Sequence, residues 1–136
     1  MHGNERLVDA VARAVAAFDP ELPLVLLAGP GGDMARAAAE KVGVRVVTEA
    51  FPDRAYLSSG ELAPRSMDGA VVSDPDAVAA RAVAFATGTP VEALDRGEVV
   101  VAADTVCVHG DGPNAPAVAA AVRSALQAAG VAVRPF

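Results

Sequence analysis

Basic charge is scarce in this chain of 136 residues. Lysine and arginine together number 11 against 17 acidic residues, Lys41 is the only lysine, and the formal net charge is −6. With the arginines scattered rather than massed, neither a nucleic-acid backbone nor an anionic membrane surface is the expected partner. Tryptophan is absent and aromatics make up only 4% of the chain, so the 53% hydrophobic content rests on aliphatic side chains and alanine. Alanine packs helices closely but buries little area per residue. Cys107 is the only cysteine, which excludes an internal disulfide and fits a cytoplasmic protein. Histidine is nearly as rare, with His2 at the terminus and His109. Asp104, Asp111 and His109 would offer a metal two or three ligands, but no spacing specifies a site and none is expected. No apolar run follows Met1 to Arg6 as a signal peptide requires, and none reaches membrane-span length.

What is present alternates between helical and strand patterns, the signature of an α/β fold. Leu7, Val8, Val11, Val15 and Phe18 fall on one helical face, and Asp19-Pro20 ends that helix. A buried strand is expected over 24–28, a helix over 33–42 closed by Gly43, and a strand over 44–48. Periodicity then vanishes over 49–69, where 54–57 and 61–64 flank Ser58-Ser59-Gly60 as a short hairpin. Asp74 and Pro75 cap and open a helix whose core face is Val78, Ala82, Phe85 and Ala86. Segments 91–93 and 98–102 flank Asp95-Arg96-Gly97 as a second hairpin. A strand over 105–108, apolar enough to be covered on both faces, leads to a helix capped by Asn114, with Val118, Val122 and Leu126 inward. A last short strand is expected over 131–133. There is no internal repeat and no linker, so 1–136 reads as a single domain.

Gly29-Pro30-Gly31-Gly32 stands between a strand and a helix, where backbone amides can cradle phosphate. It lacks the Gly-Lys-Ser/Thr ending of a P-loop, and Met34 occupies the third glycine position of a dinucleotide fingerprint, so a tight turn capped by Asp33 is expected. The run Glu49-Ala50-Phe51-Pro52-Asp53-Arg54-Ala55-Tyr56 directly follows a strand. Either it is a solvated loop, or its aromatics dock it and hold Asp53 and Arg54 in place. Arg65 adds a guanidinium suited to a carboxylate or phosphate. Cys107 reads as a small core residue rather than a nucleophile. The candidate catalytic pair is His109 and Asp111, at the carboxyl end of a strand, where α/β proteins bind ligands. Gly110 turns the backbone between them, imidazole exchanges protons near neutrality, and Asp111 would fix its tautomer or bind a substrate amine.

Several of these segments together closely resemble the LamB/YcsF family of 5-oxoprolinase A subunits. They are the helix from Leu7 to Val15, Leu27-Ala28-Gly29, Val47-Thr48 with the Glu49 to Tyr56 run, Leu62-Ala63-Pro64-Arg65-Ser66, and Asp104 to Asp111. The resemblance implies an irregular, TIM-like β/α barrel of the glycoside hydrolase/deacetylase type. It implies ATP-dependent hydrolysis of 5-oxo-L-proline to L-glutamate with separate B and C subunits, ATP (with Mg) being a co-substrate and no cofactor being tightly held. Phosphorylation of the lactam oxygen would remove amide resonance and supply a leaving group. His109 and Asp111 would then be catalytic, while Glu49, Asp53, Arg54 and Arg65 would bind substrate or phosphate. The family's Asn-x-Asp-x-Gly-Glu, Cys-Gly-Phe-His, His-Pro-Ser and Lys-Pro-His-Gly segments have no counterpart here, so the chain corresponds to a carboxyl-terminal part of the barrel. Such a part is either completed by another polypeptide or a second copy, or is an inactive fragment that only associates with partner subunits.

Overall fold

The computed structural model describes residues 5–112 and 114–136; His2 lies outside them. Helix α1 (Glu5–Phe18) precedes strand β1 (Leu24–Leu27), a 3-10 turn (Pro30–Gly32) leads into α2 (Asp33–Lys41), and β2 (Val46–Ala50) follows. After a long connection come α3 (Pro75–Thr87), the short strands β3 (Val91–Glu92), β4 (Glu98–Val99) and β5 (Thr105–Val106), and finally α4 (Ala115–Ala128). β1, β2 and β5 form a parallel sheet in that order. Among the described residues β1 and β5 are the edge strands of this sheet, and no closed barrel forms.

The helices pack through small side chains, as the alanine-rich composition requires. Ala12 of α1 and Ala39 of α2 are fully buried beside Val44, and Val8 meets Leu26, Ala35 and Ala38. Leu7 and Phe18, expected on this face, are exposed, because the face turns on Val8 and Ala12. On the other side, α3 and α4 join through Val78, Ala79, Ala82, Val118, Val122 and Leu126. Ala86 stays exposed. The Asp74 carboxylate accepts from the Ala77 amide at 2.8 Å, as a capping residue before Pro75 should. Asn114 holds the N-cap position of α4 but makes no side-chain cap bond.

The hairpin of β3 and β4 forms around Asp95-Arg96-Gly97, with Arg96 at φ 103° and Gly97 at φ 80°. The first hairpin is reduced to a single antiparallel bridge between Tyr56 and Leu62, with the Leu57 amide donating to the Glu61 carbonyl at 2.8 Å. β5 keeps only two residues, half-buried rather than covered on both faces, and 131–133 forms no strand. One polar clamp pins β5 to β2. The Asp104 carboxylate accepts from the Thr48 amide (2.9 Å) and hydroxyl (2.8 Å), and these bonds hold its pKa below the usual carboxylate value.

Candidate functional site

The site is built where β2 and β5 end. Beyond Ala50 the chain turns inward instead of running along the surface, and Pro52, Asp53, Arg54, Ala55 and Tyr56 are all buried. The docked alternative for this loop is therefore the one adopted. The fully buried Tyr56 accepts the Phe51 amide on its hydroxyl at 3.0 Å and meets Phe85 edge-on, and burial pushes its pKa up. Arg81 of α3 donates from Nε to the Pro52 carbonyl (3.0 Å) and from Nη2 to the Arg54 carbonyl (2.7 Å), with its guanidinium 5.4 Å from the centre of the Phe85 ring. It thus ties both sides of Asp53 to a helix. Sequence reasoning missed Arg81, whose only local signal is a charge on the helix bearing Phe85.

His109 arrives from the other strand end, following the Cys107 amide bond to the Ala50 carbonyl at 2.9 Å. Its backbone amide donates to Asp53 Oδ2 at 3.0 Å, and its ring Nδ1 lies 2.7 Å from the same oxygen. Because a carboxylate only accepts, Nδ1 carries the proton, so Nε2 is the nitrogen left to exchange one. The Phe51 ring stacks on the imidazole with centroids 5.5 Å apart. The carboxylate that fixes the imidazole is thus Asp53 and not Asp111, two residues away. Asp111 sits exposed beyond Gly110, whereas the buried loop brings Asp53 to the ring nitrogen Nδ1. Asp53 Oδ1 is buried without a hydrogen-bond partner.

A cavity of about 100 Å³ opens beside this pair, walled by Val71, Val72 and Val118 and rimmed by Asp53, Arg65, His109 and Asp111. Arg65 is exposed there and makes no hydrogen bond or ion pair among the described residues, which leaves its guanidinium available to an anion. Arg54 also lines the cavity, but it is buried and already donates to the Ala63 (2.7 Å) and Ala70 (3.2 Å) carbonyls, so it staples the loop together. Glu49 does not line the cavity. It is half-buried on β2, where burial raises its pKa against the opposing pull of His109. Cys107 is half-buried too, its thiol pushed up by burial and by the charges of Glu49 and Asp53. The glycine turn contributes no group to this cavity.

The arrangement can move a proton at His109 Nε2 while holding an acidic ligand at Arg65. No helix among the described residues is long and apolar enough to cross a membrane.

Comparison with known proteins identifies the lineage. The LamB/YcsF family profile matches residues 1–136. The chain is 59% identical over 127 residues to the 5-oxoprolinase A subunit of Thermus thermophilus, covering 93% of this chain and 50% of that protein. It is 49% identical over 134 residues to the 5-oxoprolinase A subunit of Streptomyces coelicolor, covering 98% of this chain and 51% of the relative. The crystal structure of the lactam utilization protein from Thermus thermophilus superposes with a TM-score of 0.88 at 56% identity, over 98% of this chain and 51% of that one. The chain spans about half the length of the curated relatives it matches. From its profile, its relatives and its fold, the chain belongs to the LamB/YcsF family.

Proposed function

We propose that this chain carries part of the active site of a 5-oxoprolinase A subunit, which opens 5-oxo-L-proline to L-glutamate with hydrolysis of ATP, Mg accompanying the nucleotide. The observation that carries the proposal is the 2.7 Å contact between His109 Nδ1 and Asp53 Oδ2 at the rim of a cavity that also presents Arg65 and Asp111. Ring opening adds one water across the lactam C–N bond, and ATP hydrolysis consumes a second. An unstrained lactam resists attack because nitrogen donates into the carbonyl, and phosphorylating its oxygen ends that donation. His109 handles the proton taken from water and delivered to the departing nitrogen. Arg65 holds the substrate carboxylate or a phosphate, and Asp111 receives the developing amine. Arg54 keeps the loop in place around them.

The reaction would require the B and C subunits, and the sheet of β1, β2 and β5 would be one sector of a TIM-like barrel. The site works in the cytoplasm, where ATP and a lone reduced cysteine belong. The alternative reading is an inactive barrel fragment that only associates with partner subunits.

The deciding experiment replaces the matched half of the Thermus thermophilus protein with this chain and adds that organism's B and C subunits. 5-Oxoproline-dependent ATP hydrolysis should appear and should fall by about 100-fold or more in His109→Ala. A clear loss is expected in Asp111→Ala as well. Near-normal rates in both variants would refute the assigned roles. A chimera that folds but never turns over would favour the inactive fragment.

A further inference from the structure

We propose that Thr48 and Asp104 are a positioning pair for His109, fixing the register in which β5 meets β2 and so delivering the imidazole to Asp53. Two clamps of the same design bracket this ladder. At its start, Asp104 Oδ2 accepts from the Thr48 amide at 2.9 Å and hydroxyl at 2.8 Å. At its far end, Asp53 Oδ2 accepts from the His109 amide at 3.0 Å and ring Nδ1 at 2.7 Å. In each, one carboxylate oxygen takes a backbone and a side-chain donor from a single residue 56 positions away. The ladder between them pairs Glu49 with Thr105 and Ala50 with Val106, at the same offset. Thr48 and Asp104 line no part of the cavity, so any effect they have on the chemistry passes through this register.

The ladder needs such a pin because its own pattern is ambiguous. β5 is two residues long, and the run Thr105-Val106-Cys107-Val108 repeats one alternation. Val106 and Val108 both pack against the cluster that joins α3 and α4. A slip of two residues would keep every side chain on its face, exchange one valine for another, and carry His109 away from Asp53. The bonds between Thr48 and Asp104 form in one register alone, because neither residue recurs two positions along its strand. The Asp104 amide also donates to the Thr48 carbonyl at 2.9 Å, which closes the pair from both sides. The inference rests on the reading of His109 as the proton-moving group, but its consequence for the geometry of His109 is measurable without turnover.

The test follows amide exchange in this chain at His109 and, as an internal reference, at Ala28, whose amide donates to the Glu49 carbonyl from the other side of β2. Asp104→Ala should speed exchange at His109 by about 10-fold or more and leave Ala28 within about twofold. The Nδ1 proton signal of His109 should broaden or move with it. Thr48→Val keeps the amide and loses the hydroxyl, so it should show a smaller change of the same kind, and it serves if Asp104→Ala fails to fold. Thr48→Ser should behave as the parent. In the chimera assembled with the B and C subunits, Asp104→Ala should lower kcat by about 10- to 100-fold with KM within about twofold. Equal acceleration at His109 and Ala28 would mark a purely structural pair and overturn the proposal, as would an unchanged His109 or an unchanged kcat in an active chimera. A parent chimera without turnover would count against the proposed function alone, and the exchange comparison would still decide the role of the pair.

Discussion

A single carboxylate oxygen, Asp53 Oδ2, receives both the backbone N–H and the ring Nδ1 of His109, two residues 56 positions apart in the chain. The double contact sets where the imidazole sits and which of its nitrogens carries the proton. Arg81 adds rigidity beneath it by gripping the carbonyls on either side of Asp53.

Asp53→Asn should therefore damage catalysis more than stability. The amide keeps the shape of the carboxylate but can present an N–H where an acceptor is needed, which favours the wrong tautomer. In the complete complex kcat should fall by about 100-fold or more. The Nδ1 proton signal of His109 in nitrogen-edited NMR should weaken or move. An unchanged signal together with unchanged kcat would remove Asp53 from the site.

Glu49 predicts a pH dependence of the opposite sign to that of an ion-paired acid. Burial raises its folded pKa, so the native state binds the proton more tightly than the unfolded state does. Its favourable contribution is fully present below the ordinary glutamate value and is lost as pH rises through the raised one. Glu49→Gln should accordingly be more stable than the parent at neutral pH, with the gap closing toward about pH 4 in denaturant titrations. Removing that charge should also ease the ionisation of Cys107. Iodoacetamide labelling at about pH 8 should then run about two- to threefold faster. A stability gap that widens in acid would contradict this account.

Among the glycines, Gly32 is the one that packing demands. A Cβ there would lie 1.9 Å from the Leu27 carbonyl oxygen, so the turn joins strand to helix only with hydrogen in that place. Gly32→Ala should cost about 3 kcal/mol in chemical denaturation. The sequence marks Gly110 as the residue that lets the chain turn between His109 and Asp111, yet its φ is not positive and a Cβ would meet only open space. Gly110→Ala should change stability by no more than about 0.5 kcal/mol. Equal costs at the two positions would show that the close approach at Gly32 is absent in solution.

Local chemistry was enough to place the helices, because apolar spacing and the Asp74-Pro75 cap act within a few residues. It was likewise enough to find β1, β2 and the turn of β3 and β4, and to single out His109, just past β5, as a candidate. Strand limits slipped by two residues at β2, and residues 131–133 formed no strand. The partner of His109 could be decided only in three dimensions. Sequence proximity favours Asp111, but Asp53 wins because the loop after β2 folds into the core around Tyr56 and Arg81. Likewise, Arg54 and Arg65 look alike in the sequence, and burial alone separates the one that ties backbone carbonyls from the one left open to an anion. Contacts between distant segments made these choices, and no local pattern encodes which distant group will arrive.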